Sequence, residues 1–327
     1  MKTLVLSMIS IAATVAAMTA CTSESDPINE INPQDGKTPI EFRSSIIGVQ
    51  TKAISSDGTK FDANTNIALT MYKGENAPTG EALGNPAKES IEFTVGADQL
   101  SLAEKATPKT MFWERNIKHY FYAYYPIVES NTNYTLTPAV DKTSAEKITV
   151  KVPLDGNTTD LLMGKITTGL TYSGATVENA NISFSHKLSK INFVFKKDPS
   201  FQGQGALTDI KVKIANSEVS FDLVSQLATL GGSPMDITKT GVTQNIETND
   251  AGEIYSDWSP IVTPGTTISE LSLTIDGKQI KASNLNTELA EGSITKITLT
   301  LKGSEISDLT TGITEWKDDK TGSGDII

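Results

Sequence analysis

Short runs in which apolar and polar residues alternate recur along most of the chain. The clearest runs are residues 66–74, 91–96, 148–154, 191–195, 210–214, 271–275 and 297–301. Alternation with a period of two predicts strands that bury one face. Because no window shows a helical period longer than about two turns, the pattern predicts an all-β chain. Residues 101–105 are the place where a single helical turn could form.

Two segments add detail to this pattern. Residues 121–125 (FYAYY) predict a strand that carries aromatic side chains on both faces and ends at Pro126. Asp276-Gly277 separates two alternating runs, and this dipeptide is the strongest short-range signal for a β-hairpin. Many short strands without intervening helices favour β-sandwiches.

The start of the chain is different. Lys2 precedes an apolar stretch, residues 4–17, which is shorter than the roughly 20 residues of a membrane span. Thr19, Ala20 and Cys21 follow it. This arrangement predicts a cleaved export signal, and it resembles a lipobox, in which Cys21 carries the lipid. An ordinary secretory signal followed by a chance cysteine is the alternative, but Cys21 has no second cysteine with which to pair.

These features divide the chain into four parts. Residues 1–20 are the predicted lipoprotein signal peptide, and residues 21–38 are a polar, proline-containing stretch that predicts a flexible tether. The remaining roughly 300 residues suggest two domains of roughly 100–200 residues each. We expect one β-sandwich over 39–170 and a second over 171–327, with the boundary in a polar, glycine-containing stretch.

Composition excludes several functions. A net charge of -11 disfavours nucleic acid and anionic bilayers as partners. His119 and His186 are the only histidines, and we expect both to be strand residues with local hydrogen bonds. Metal-ligand, nucleophile-elbow and phosphate-loop motifs are missing, so we expect no catalytic residues, metal or cofactor. The three tryptophans are Trp113, Trp258 and Trp316. We expect them to pack in the core or at its edge rather than to form an exposed platform for sugar rings.

Six segments together resemble a known family. They are Ile40–Phe42 (IEF), Thr51–Ala53 (TKA), Tyr122–Pro126 (YAYYP), Asp160–Met163 (DLLM), Phe184–Ile191 (FSHKLSKI) and Ile313–Trp316 (ITEW). Their order and spacing resemble the fimbrillins of Bacteroidia, which are lipoprotein precursors of type V pili. The resemblance implies two sandwiches of transthyretin-like topology and a surface fimbria assembled by exchange of strands between subunits.

Such exchange has a plain physical basis. A sandwich that lacks one strand exposes unpaired backbone groups and an apolar groove. A neighbour's strand fills both, and because the contact is head to tail it builds a filament. The resemblance also implies delivery to the outer membrane by the lipid, followed by a cut from a trypsin-like protease that releases the first strand. The candidate cut sites are Arg43, inside that strand, and Lys52, beside a polar loop.

The resemblance places the donor strand between Ile294 and Ile327. Its candidate residues are Ile297, Leu299, Leu301, Ile313 and Trp316. The expected partners are therefore other fimbrial subunits, the outer membrane through the lipid, and the processing protease. An uncut chain would instead be an anchor or a plain surface lipoprotein, and a role at the fimbrial tip stays open. The alternative function is a surface glycan-binding lipoprotein of a polysaccharide-uptake system, which requires exposed, coplanar aromatic side chains.

Overall fold

The computed structural model describes residues 38–47, 60–78, 89–107, 110–139, 145–173, 180–246, 254–255, 257–302 and 305–315. The first ten strands are β1 (Thr38–Pro39), β2 (Phe42–Ile47), β3 (Asn66–Gly74), β4 (Glu89–Val95), β5 (Ser101–Glu104), β6 (Phe112–Trp113), β7 (Lys118–Tyr125), β8 (Tyr134–Thr137), β9 (Lys147–Lys151) and β10 (Leu162–Thr171).

Thirteen further strands follow. They are β11 (Ala180–His186), β12 (Ser189–Lys197), β13 (Ala206–Ile214), β14 (Glu218–Asp222), β15 (Ala228–Gly231), β16 (Met235–Lys239), β17 (Gln244–Asn245), β18 (Ile254–Tyr255), β19 (Ile261–Val262), β20 (Thr267–Ile275), β21 (Lys278–Glu288), β22 (Ser293–Lys302) and β23 (Glu305–Glu315). Within the described ranges the single helical element is a 3-10 turn at Val128–Ser130. The prediction of an all-β chain is confirmed.

Seven strands close into a barrel in the order β10-β11-β2-β5-β4-β3-β7. Its interior is a cluster of aromatic and aliphatic side chains. Among them are Phe42, Phe93, Phe121 and Phe184, each no more than 2% exposed. The residues expected to form a helical turn belong instead to β5, because Leu102 packs into this interior and pairs with β2 and β4.

Two five-stranded sheets make up most of the chain after β11. One has the order β18-β12-β22-β23 with β19 beside β12, and the other has the order β16-β13-β20-β21 with β17 beside β13. A single core contains residues from both sheets, such as Phe193, Phe195, Leu271 and Leu299. The predicted hairpin joins β20 to β21, with φ of 51° at Asp276 and 74° at Gly277.

A four-stranded sheet in the order β15-β14-β9-β8 draws on both halves of the sequence. β9 pairs with β14 through residues such as Val150 and Val219, although about 70 residues separate them. Tyr122 and Tyr124, on one face of β7, pack into the same core, while Phe121 on the other face packs into the barrel. The strand FYAYY therefore has two covered faces.

The compact unit that contains all these sheets runs from Pro39 to Ile327. β11 belongs to the barrel, and β9 and β14 share a sheet, so strands from both predicted domains are joined by hydrogen bonds. The division near residue 170 and the transthyretin-like topology therefore stay predictions. No helix in the described part of the chain is long and apolar enough to cross a membrane.

Candidate functional site: the first strand and the C-terminal edge strand

The first long strand, β2, lies between two neighbours in the barrel. It pairs with β11 in parallel from Phe42 opposite Ala180 to Ile47 opposite Ser185. On its other side it pairs with β5 at only two positions, and the Ser44 N–H also donates to the Leu100 carbonyl at 2.8 Å. The β11 side therefore carries most of the backbone pairing.

Side chains of β2 alternate strictly between the barrel interior and the surface. Phe42, Ser44 and Ile46 point inward, and Ile47 is 65% exposed. The Phe42 ring makes edge contacts with Phe93 and Phe121 at centroid distances of 5.1 and 5.0 Å. The inward side chains therefore follow the order large, small and large along the strand. The small one, Ser44, donates a hydrogen bond from Oγ to the Leu100 carbonyl at 3.4 Å.

The structure places one of the two candidate cut sites. Arg43 is exposed, but its backbone lies in the paired centre of the barrel sheet, opposite Asn181 and Ser101. A protease would therefore need β2 to open locally before it could cut after Arg43. Lys52 lies outside the described residues, as does Cys21. Processing and lipidation stay predictions.

Three of the candidate donor residues lie in an interior strand. Ile297, Leu299 and Leu301 are fully buried on β22, in the core that the two five-stranded sheets share. β22 has β12 on one side, in parallel over eight residue pairs, and β23 on the other. Removing β22 would open that core, because each fully buried aliphatic side chain contributes roughly 1.5–3 kcal/mol.

The fourth candidate, Ile313, lies on β23 at the end of its sheet. β23 pairs antiparallel with β22 from Ser293 opposite Glu315 to Lys302 opposite Glu305. β22 is the one strand with which β23 forms a ladder in the described part of the chain. Trp316, the fifth candidate, lies outside the described residues. The structure thus separates the four candidates that it describes, with three in an interior strand and Ile313 in an edge strand.

Two of the tryptophans are packed rather than displayed. Trp113 is 3% exposed and makes an edge contact with His119 at 5.0 Å. Trp258 is 8% exposed, stacks on Phe193 at 5.6 Å, and donates its indole N–H to the Asp155 carbonyl at 3.0 Å. Neither forms an exposed aromatic platform, so the feature that the glycan-uptake alternative requires is not found at these positions.

Both histidines are buried strand residues. His119 accepts a hydrogen bond from the Glu114 N–H at 3.2 Å, and burial lowers its pKa. His186 bonds through Nδ1 to the Asp160 carboxylate, a partner that is distant in sequence rather than local. Burial raises the pKa of Asp160, and the hydrogen bond from His186 opposes that shift.

The Asp160–His186 pair joins two of the motifs quoted above. The Lys187 N–H donates to the Leu161 carbonyl at 2.8 Å, and Leu162 pairs with His186 across β10 and β11. The segments DLLM and FSHKLSKI therefore meet in space at one buried joint. Sequence reasoning treated them separately and missed Asp160 as a partner, because nothing in a sequence marks a contact between residues so far apart.

A carboxylate orders the turn that leads into β5, the weaker neighbour of β2. Asp98 accepts hydrogen bonds from the Leu100 N–H, the Ser101 N–H and the Ser101 hydroxyl at 2.7 to 3.0 Å. These bonds, chiefly that from the Ser101 hydroxyl, lower the pKa of Asp98 to about 2.

In the described ranges, no three His, Cys, Asp or Glu side chains cluster as metal ligands would.

Comparison with known proteins gives a family and a fold. The model of a family described as fimbrillin-like matches residues 51–316. No protein with curated annotation matches at a significant level.

Three solved structures from the genus Bacteroides have a similar fold. A candidate cell adhesion protein of Bacteroides uniformis has a TM-score of 0.53 and 19% identity, covering 87% of this chain and 100% of its own. A second, from Bacteroides ovatus, has a TM-score of 0.54 and 17% identity, with 86% and 98% covered. A fimbrial protein of Bacteroides vulgatus has a TM-score of 0.53 and 15% identity, with 85% and 99% covered.

Proposed function

The chain belongs to the fimbrillin-like family, and from that premise we propose that it is a structural subunit of a cell-surface fimbria which polymerises by strand exchange. In this proposal β2 leaves the barrel, and β23 of a neighbouring copy takes its place between β11 and β5. The same step then repeats from subunit to subunit. Because donor and acceptor surfaces differ, the contact is heterologous and the assembly need not close.

The observation that carries the proposal is the unequal pairing of β2 and β23. β2 occupies a slot with a neighbour on each side, while in the described part of the chain β23 has a hydrogen-bonded neighbour on one side. An empty slot leaves the facing edges of β11 and β5 unpaired and the apolar interior of the barrel open, and an incoming β23 covers both at the cost of its ladder with β22. Two large apolar side chains that fill the groove contribute roughly 1.5–3 kcal/mol each, which favours exchange once the slot is empty.

Residue sizes along β23 fit the slot. The inward row of β2 is Phe42, Ser44 and Ile46. Alternate positions of β23 carry Leu309, Thr311 and Ile313, which repeat the order large, small and polar, large. In this register Thr311 takes the place of Ser44, whose hydroxyl hydrogen-bonds to the Leu100 carbonyl. The threonine hydroxyl supplies the same donor.

Release of β2 requires a trigger, because Phe42 and Ile46 are buried in the barrel. A trypsin-like protease that cuts after Arg43 or Lys52 is the trigger in this proposal. Lys52 is the more accessible of the two in the proposal, since Arg43 lies within a paired strand. Cutting at Lys52 frees the whole of β2, whereas cutting at Arg43 would leave its second half in place.

The N-terminus supplies the route to the surface in this proposal. Lipid on Cys21 anchors the precursor in the outer membrane, and the tether of residues 21–38 lets the barrel stand away from the bilayer. Two or three acyl chains hold a protein firmly, since each buried methylene contributes about 0.8 kcal/mol. Processing then removes the lipid together with β2, and the subunit passes into a fimbria that supports adhesion.

Two measurements test the proposal. A chain truncated before Glu305 lacks β23, and we expect it to be secreted and folded but absent from SDS-resistant ladders. Mass spectrometry of the surface protein should find an acylated Cys21 in the precursor and a new N-terminus at Ser44 or Ala53 in the fibre. Persistent ladders from the truncated chain would refute strand donation by β23, and an acylated Cys21 throughout the fibre would refute processing.

A further inference from the structure

A cleft of about 540 Å³ opens at one end of the barrel. It lies where β3 begins, β7 ends and the 3-10 turn follows, and its walls include Asn66, Glu92, Tyr125, Glu129 and Asn131. Ligand pockets in proteins are roughly 300–1,000 Å³. The cleft is therefore large enough for a small ligand, and it is separate from β2 and β23.

The two amides of the cleft are fixed by their oxygen atoms. Asn66 Oδ1 accepts the Thr94 hydroxyl at 2.9 Å. Asn131 Oδ1 accepts the Asn133 N–H at 3.0 Å. Each side chain therefore presents its NH₂ group as a donor. The carboxylates of Glu92 and Glu129 are acceptors on the same walls.

A set of amide donors and carboxylate acceptors matches neutral hydroxyl groups best. A hydroxyl both donates and accepts, so it can use an amide and a carboxylate at once. An amine donates only and would leave the two NH₂ groups without acceptors. An anion would meet the carboxylate of Glu129, and no lysine, arginine or histidine is among the residues that line the cleft.

Two further contacts favour a neutral ligand with an apolar face. Lys105 Nζ lies 2.6 Å from Glu92 Oε1, which offsets one of the two negative charges. Tyr125 is half-buried and held by an edge contact with Phe61 at 5.7 Å, so its ring is a fixed part of the wall. Sugar rings offer hydroxyls at their rim and C–H groups on their faces, which suits this combination.

We propose that this cleft binds a neutral oligosaccharide, with the amides of Asn66 and Asn131 donating to its hydroxyls and the carboxylates accepting from them. The site concerns the single folded chain and does not depend on strand exchange. A fimbria made of such subunits would carry one copy of the site in every subunit, so weak binding at each would add up along the fibre.

The test uses the secreted full chain on an array of neutral oligosaccharides built from glucose, galactose, mannose and N-acetylglucosamine. Calorimetry then gives the affinity for the best binder in wild type and in Asn66→Asp and Asn131→Asp. Aspartate keeps the oxygen that accepts from Thr94 or Asn133 and removes the NH₂ donor. We expect each variant to bind roughly three- to tenfold more weakly, as one lost hydrogen bond implies.

The matched control is Asn245→Asp, an exposed asparagine on β17 of the second half of the chain, and we expect its affinity to equal that of wild type. Titration with putrescine tests an amine ligand, which should bind more weakly than the sugar. Absence of binding on the whole array would overturn the proposal, as would wild-type affinity in both Asn66→Asp and Asn131→Asp. Tighter binding of putrescine than of any sugar, abolished by Glu129→Gln, would overturn it as well. Polymer ladders are unaffected by any of these results, so the two proposals fail separately.

Discussion

The strands β2 and β23 are near opposite ends of the described chain and are held in opposite ways. β2 has hydrogen-bonded neighbours on both sides and three inward side chains. β23 is longer, with 11 residues against six, yet within the described ranges it has one such neighbour and lies at the end of its sheet. The strand that must leave is thus enclosed on both sides, and the strand that must move is paired on one side.

This difference explains why a subunit of this kind would be stable until it is cut. Because β2 fills the place between β11 and β5, the β23 of a neighbouring copy cannot enter it until β2 leaves. A cut near β2 therefore acts by releasing β2 from the barrel and leaves the donor strand β23 unchanged. The following changes test the contrast, beginning with the largest expected effect.

Aspartate at Leu299 and at Leu309 should separate the interior strand from the edge strand. Leu299 on β22 is fully buried, and an unpaired charge there is too costly for the second core to form. Leu309 lies opposite Leu299 in the ladder, but on the end strand. Directly opposite residues share one face of the sheet, so both changes place a charge on the core side. We expect Leu299→Asp to be unfolded by near-UV circular dichroism, and Leu309→Asp, at the end of the sheet, to lose less stability and to be unable to polymerise. Unfolding of both would show that β23 is as essential to the core as β22.

Alanine at Phe42 measures how firmly β2 is held. Burial of its ring against Phe93 and Phe121 predicts a loss of about 3–5 kcal/mol in the free energy of unfolding of the uncut chain, measured with urea. Ile47→Ala on the same strand is the control, with about 0.5 kcal/mol or less, because Ile47 is 65% exposed. Equal losses for the two variants would mean that β2 is not seated as described.

A large side chain at position 311 tests whether Thr311 of an incoming β23 occupies the small space that Ser44 of β2 fills in the barrel. We expect Thr311→Phe to weaken polymerisation, since overpacking typically costs about 1–3 kcal/mol. Because Thr311 also lies opposite buried Ile297 in the monomer, urea unfolding of the uncut variant measures separately how much stability the monomer loses. Thr310→Phe, at an adjacent position that falls outside the inward row, is the control. Densitometry of SDS-resistant ladders gives the comparison, and equal inhibition by both variants would rule out this register.

The Asp98 turn should give the smallest effect, and one that depends on pH. The pKa of Asp98 is about 2 in the folded chain, below roughly 3.9 for an unperturbed aspartate. Its contribution is thus complete above about pH 5 and is lost as the pH falls through 2 towards 1. We expect Asp98→Asn to be slightly less stable than wild type at pH 7 and equal to it at about pH 1. A difference of undiminished size at that low pH would exclude the carboxylate as the cause.

Sequence alone predicted the local features of this molecule well. Residues 66–74 alternate and form β3, and Asp276-Gly277 turns the hairpin between β20 and β21. In each case the information lies within a few neighbouring residues. Residues 101–105 are an exception, because four of them form β5 through contacts with distant strands that their own sequence does not encode.

Pairing between distant strands could not be predicted in the same way. The register of Phe42 opposite Ala180, and of Val150 opposite Val219, depends on which strands meet, and alternation says only which face is buried. For the same reason the pattern of Ile297, Leu299 and Leu301 could not reveal an interior strand. An alternating apolar run has the same appearance in the centre of a sheet as in a donor, and sheet order was needed to distinguish β22 from β23.

The most direct test of strand exchange is a disulfide between β11 of one subunit and β23 of the next. Ser183 pairs with Ser45 of β2, and in the proposed register Gly312 takes the place of Ser45. Because Cys21 is the single cysteine and leaves with β2 in the proposal, Ser183→Cys and Gly312→Cys supply the fibre's only thiols. Thr310→Cys and Thr314→Cys, each paired with Ser183→Cys, are the register controls.

We predict that mild oxidation converts the Ser183→Cys, Gly312→Cys fibre into a ladder of covalently linked subunits that survives boiling and disappears on reduction. The two control pairs should give much less of it. A fibre that still assembles, yet forms no reducible ladder with any of the three pairs, would contradict the account.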